Sequence, residues 1–129
     1  MFQRDKMLAA LRWIATNPDK HLEAEMAMTS NFVATTTMAE DAECFCALGR
    51  YARECGIDTN DISVEELGLT DRDHSLMRAT WQTNDGVIRR IRGRSTDWES
   101  GNAEASRTAA IEIGKLFDIT EDEIFNPEG

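Results

Sequence analysis

The stretch Asp41–Cys55, DAECFCALGRYAREC, decides how the rest of the chain is read. Cys44, Ala47, Leu48, Tyr51, Ala52 and Cys55 recur at i, i+3, i+4, i+7, i+8 and i+11, which is one face of an α-helix. Glu43, Arg50, Arg53 and Glu54 fall elsewhere on the wheel. Phe45 widens the apolar stripe. Gly49 leaves a notch for close approach of another backbone, the compensation expected for a mid-helix glycine that costs about 1 kcal/mol relative to alanine. The pattern predicts a buried central helix over 41–55.

Working outward, residues 3–16 read as a first helix with Met7, Leu8, Leu11, Ile14 and Ala15 in one stripe and Trp13 at its edge. Asn17-Pro18 stops it, because a residue before proline avoids the α region. Residues 19–39 carry a weaker signal. HLEAEMAM alternates apolar and polar side chains and NFVATTTM is rich in β-branched ones, so a loop with some extended pairing is expected there. Beyond the central helix, Gly56 reads as a left-handed cap followed by Ile57, and Asp58–Asp61 as a turn that caps a short helix over Ser63–Leu67.

Thr70 or Asp71 then caps a helix to about Thr83 with Leu76, Met77, Thr80 and Trp81 inward. Asn84-Asp85-Gly86 reads as the turn that ends it. Val87, Ile88 and Ile91 anchor VIRRIRGR, Ser95–Gly101 reads as loop around Trp98, and Asn102 caps a last long helix to Phe117. Ala109, Ala110, Ile113, Leu116 and Phe117 are its buried face. Thr120-Glu-Asp-Glu123 matches a capping box that opens a short helix before Pro127. The fold class expected is all-α, or mainly α with a short extended element near 28–38. It is a single domain over residues 1–129 with five or six helices around the 41–55 helix.

Composition sets limits on function. The chain has 129 residues, 14 basic and 24 acidic side chains, and a formal net charge of -10. Residues 1–77 carry seven basic and fourteen acidic side chains, residues 78–94 five and one, and residues 95–129 two and nine. An acidic body repels nucleic acid and anionic lipid at long range, so direct DNA or RNA binding is not expected. No apolar run approaches the roughly 20 residues of a membrane span, and the amphipathic MFQRDKMLAALRWI is not a secretory signal. Three cysteines suit a reducing compartment, so the cytoplasm of a bacterial cell or an infected host is the expected location.

The reactive residue types do not assemble into a site. Within a 41–55 helix Cys44 and Cys46 face apart, about 200° around the axis, which opposes both a zinc knuckle and a redox pair. A Cys–His nucleophile would need Cys44 or Cys46 with His21 or His74, and no local signature supports it. Glu121-Asp122-Glu123 suits a helix N-terminus rather than acid–base chemistry. Catalytic, cofactor-binding and metal residues are therefore all read as none. A helix-turn-helix spacing at Ala52, Gly56 and Ile62 is rejected as a DNA reader, since DTNDISVEE would bring four carboxylates to the phosphates.

Arg89, Arg90, Arg92 and Arg94, with Trp98 nearby, form the cluster that most resembles a contact surface. One reading pairs these arginines with the acidic body. The other makes them a docking patch, with Glu121, Asp122 and Glu123 as a further partner-binding set.

Cys46-Ala47-Leu48-Gly49, followed by Trp81-Gln82-Thr83-Asn84-Asp85, resembles a group of small uncharacterised bacterial and phage proteins. Those combine a Cys-Ala-Leu-Gly helix with a later Trp-Asn-Asp-type helix end. ALRWIATNPDKH is similar to the opening of small bacterial proteins of unknown role. Gln82 and Thr83 stand between Trp81 and Asn84 here, a departure from that pattern. The resemblance implies an α-helical domain and no activity.

Three functions follow as expectations. The first is a non-enzymatic interaction protein whose acidic surface binds a basic protein, such as an inhibitor of a nuclease or host-defence complex. The second is an enzyme or ligand-binding domain with a pocket near Gly49, His74, Asp85 or Arg90. The third is a toxin-neutralising or transcription-associated module using Arg89–Arg94. A protein partner is expected, and a homodimer stays open.

Overall fold

The structure, a computed structural model, describes residues 3–21, 27–29, 42–55, 71–93 and 98–126. Five α-helices dominate them: α1 (Arg4–Thr16), α2 (Ala47–Glu54), α3 (Asp71–Arg92), α4 (Trp98–Leu116) and α5 (Glu121–Phe125). Two short strands, β1 (Ala27–Thr29) and β2 (Ala42–Phe45), pair antiparallel, with Ala27 opposite Phe45 and Thr29 opposite Ala42. The fold is mainly α; β1 overlaps the extended element expected near 28–38 at Met28 and Thr29, and the rest of that stretch lies outside the described residues. The proposed helix over Ser63–Leu67, the Gly56 cap and Arg94 lie outside the described residues.

α1 forms as its periodicity demands. Met7, Ala10, Leu11 and Ile14 are buried at i, i+3, i+4 and i+7. Its last carbonyls are closed by side chains: Thr16 Oγ1 donates to Arg12 O at 2.9 Å and Asn17 Nδ2 to Trp13 O at 2.9 Å. Pro18 then opens a 3₁₀ turn to Lys20, and His21 forms a parallel bridge to Phe45.

The central stretch is not one helix. Residues 42–45 are the strand β2, and Cys46 is the N-cap of α2, extended at φ -78° and ψ 172°. Its Sγ accepts from Gly49 N at 3.3 Å. Over so short a window Cys44 satisfied the helical period, but pairing with β1 decides its backbone. The stripe itself survives from Ala47 onward, with Ala47, Leu48, Gly49, Tyr51 and Ala52 buried. Trp13 meets Phe45 edge-on at 5.5 Å, and the Arg50 guanidinium lies 4.7 Å over Trp13 while pairing with Glu54. That stack joins α1, β2 and α2.

α3 runs unbroken through Asn84-Asp85-Gly86, against the expected turn. The reason is tertiary: Asn84 and Asp85 are buried, and Asn84 is bonded to His21 and to the first amide of α2 instead of capping a helix end. Trp81, expected inward, is 39% exposed, because it sits at the margin of the face that buries Thr80, Asn84, Val87, Ile88 and Ile91. α4 likewise begins at Trp98, inside the expected loop, and Asn102 lies within the helix rather than at its cap.

Small side chains on α4 (Ala105, Ser106, Ala109 and Ala110) face the core against α3 and α1. Gly114 is required where α4 turns back. A Cβ there would stand 2.9 Å from Ile119 O and 3.2 Å from Ile124 Cδ1. α5 carries the capping box read from sequence: Glu123 N donates to Thr120 Oγ1 at 3.1 Å, and Thr120 N to Glu123 Oε1 at 3.0 Å. Ile124 is buried, and Arg12 clamps Glu123 O through Nη2 at 2.7 Å.

Candidate functional site

The densest polar constellation is internal. Lys20 closes the 3₁₀ turn and delivers His21, 3% exposed, between α3 and α4. His21 Nδ1 is 2.9 Å from Ser106 Oγ on α4, and Nε2 is 2.5 Å from Asn84 Oδ1 on α3. Asn84 Oδ1 also accepts Ala47 N, the first helical amide of α2, at 3.1 Å. A backbone N–H demands an acceptor, which fixes the orientation of the Asn84 amide. Nε2 must then carry the histidine proton, and Ser106 donates its hydroxyl to Nδ1. Asn84 Nδ2 donates onward to Asp85 Oδ1 at 3.0 Å, and Arg92 Nη2 to His21 O at 3.2 Å.

Burial holds the ring neutral and pushes the His21 pKa down to about 4. The Asn84 hydrogen bond and nearby Asp85 oppose that shift, and Arg92 adds to it. A Ser–His–Asn succession invites comparison with a nucleophile and its base, but the geometry here is that of a clamp. Ser106 is fully buried inside α4, where the neighbouring backbone amides are taken up by the helix.

Burial likewise pushes the Cys46 thiol up to about 11, and it raises the pKa of half-buried Cys55. Both are free thiols. Cys44 lies in β2, so the helical argument for its facing away from Cys46 does not apply. Among the described residues no three His, Cys, Asp or Glu side chains are grouped to hold a metal ion.

The residues named from sequence fall in three places. Gly49 and Asp85 are buried, and His74 lies in the first turn of α3. Arg89 and Arg90 are exposed at the end of α3, where Arg90 pairs with Glu112 of α4 at 2.9 Å, and Arg92 turns inward to His21 O. Trp98 opens α4.

Glu121, Asp122 and Glu123 form the first turn of α5. Glu123 is committed to the fold: Arg4 meets both its oxygens at 2.9 Å and also donates to Asp118 O at 2.8 Å. The Arg4 hydrogen bond, helped by the Thr120 amide, holds the Glu123 carboxyl down to about 2. Glu121 and Asp122 face solvent. Beside them an open groove of about 410 Å³ is lined by Ile111, Lys115, Asp118, Ile119, Thr120 and Glu121.

Sequence reasoning missed His21, Asn84 and Ser106 as a set. The signal was helical phase: Asn84 falls between Thr80 and Ile88 on the inward face of α3, and Ser106 one turn from Ala110 on that of α4. A polar side chain in an apolar phase requires a buried partner.

Fold and site together define a small, mainly α-helical domain pinned by an internal histidine–amide–hydroxyl clamp. No family model matches the chain, and neither does any curated protein or solved structure. No helix among the described residues is long and apolar enough to cross a membrane.

Proposed function

We propose that this chain is a non-enzymatic interaction protein of bacterial or phage origin that binds a basic partner protein through its acidic exterior. The observation that carries the reading is where the charge resides. Residues 22–41 and 56–70 of the sequence hold eight acidic side chains and no basic one. Most of the net charge of -10 therefore comes from these two stretches of sequence. Such a distribution speeds and orients encounter with a cationic surface. The neutral His21 and the protonated Cys46, both spent inside the core, support a structural role for the residue types that chemistry would otherwise use. A nuclease or host-defence complex with a basic nucleic-acid channel is a concrete target, because carboxylates presented in series resemble a phosphate backbone.

The test is calorimetric titration against a basic nuclease complex at rising salt. Affinity falling steadily with ionic strength is expected. Binding indifferent to salt, or no binding at low salt, counts against the reading.

A further inference from the structure

We infer that the groove between the end of α4 and the start of α5 is a docking site for a basic amphipathic segment of a protein partner. It would take an apolar side chain on its floor and a lysine or arginine at its rim. The inference rests on the proposed function and locates the contact within it.

The floor is apolar: Ile119 is buried and Ile111 half-buried. The rim carries Asp118 and Glu121, with Asp122 adjacent, against Lys115. The C-terminal end of the 19-residue α4 adds the negative pole of its macrodipole to the same place. A cation beside an apolar group is the complement of that surface.

The volume, about 410 Å³, lies within the range of small-ligand pockets, roughly 300–1,000 Å³, but this groove is open to solvent. An open groove suits side chains presented by a partner backbone better than an enclosed small molecule. Asp118 adds an energetic argument. It adopts φ 56°, the left-handed position after a helix where glycine is preferred. Its backbone carbonyl already receives Arg4, a contact that glycine would keep. What the carboxylate gives the fold is an attraction to exposed Arg4 that solvent screens, and it stands on the groove rim.

The experiment uses the full chain, ¹⁵N-labelled, titrated with a synthetic Lys/Leu amphipathic peptide and with a Lys/Ser peptide of equal length and charge. Saturable shifts at Ile111, Lys115 and residues 118–121 are expected, with the Lys/Leu peptide binding more tightly. The double variant Asp118→Gly, Glu121→Gln should weaken binding at least about fivefold. Asp118→Gly alone should melt no lower than the parent chain, which separates binding from folding.

Equal affinity for the two peptides, shifts mapping elsewhere, or unchanged binding by the double variant would overturn the groove. So would concentration-dependent self-association that occupies it in the absence of peptide. Salt-sensitive binding to the nuclease complex would survive any of these results, so the two readings fail separately.

Discussion

Two polar junctions hold distant parts of this chain together, and they do so in opposite surroundings. The clamp of His21, Asn84 and Ser106 joins the 3₁₀ turn, α2, α3 and α4 with neutral groups in the core. The staple of Arg4, Glu123 and Thr120 joins α1 to α5 with full charges in solvent. The second has the stronger interactions in isolation, since its bonds are charge-assisted and bidentate. The first matters more to stability, because a buried group that loses its partner finds no water to replace it. Surroundings, more than bond type, rank the two.

Asn84→Ala attacks that ranking directly. It strips the acceptor from both His21 Nε2 and Ala47 N and the donor from Asp85 Oδ1. His21 Nε2 and Ala47 N, left without this acceptor in the core, cost about 1–3 kcal/mol each, so a total loss of about 3 kcal/mol or more is expected in urea unfolding. A loss below about 1 kcal/mol would mean that water reaches the clamp and that burial does not decide the comparison.

Acid sharpens the same contrast through sign and range. Unfolded, His21 takes up its proton near its ordinary 6.5; folded, it resists until about 4. Between those values the unfolded chain binds more protons, so stability is fully present above 6.5 and falls as pH drops toward 4. The drop attributable to His21 is about 3 kcal/mol. Glu123 behaves differently: its contribution is complete above the ordinary carboxylate range and is lost only as pH falls toward about 2. Urea midpoints of the parent chain and of His21→Gln, followed from pH 7 to 4, separate the two. The variant should start lower and lose the slope, and a slope that persists assigns it to other groups.

The same difference in surroundings explains which parts of the molecule were legible in the sequence. α1 and the capping box of α5 are specified by neighbours a few residues apart, a stripe at helical period in one case and Thr120 with Glu123 in the other. Such signals survive in the folded chain because nothing distant competes with them. Asn84-Asp85-Gly86 carries an equally clear local signal for a turn, yet α3 continues through it. There the amide is claimed by His21 and Ala47, which are far away in sequence. The strand at 42–45 was obscured in the same way, since β1 and the His21 bridge supply its pairing. The groove at α4–α5 was half visible: Glu121 and Asp122 stood out by charge, while its floor arises only when Gly114 lets Ile119 fold back.

The smallest expected effect tests the exposed side of the comparison. Arg4→Ala removes both contacts to Glu123 and the one to Asp118 O but leaves the capping box intact. Ile124 still fills its site in the core, Arg12 still holds Glu123 O, and Arg107 still covers Phe125 at 4.4 Å. α5 therefore stays docked, and the melting temperature should fall only slightly at low salt. The difference from the parent chain should shrink as salt rises, because exposed charges are screened within about 10 Å at 0.1 M. A large, salt-independent loss would show that the staple is shielded from solvent like the clamp, and the two junctions would then differ in chemistry alone.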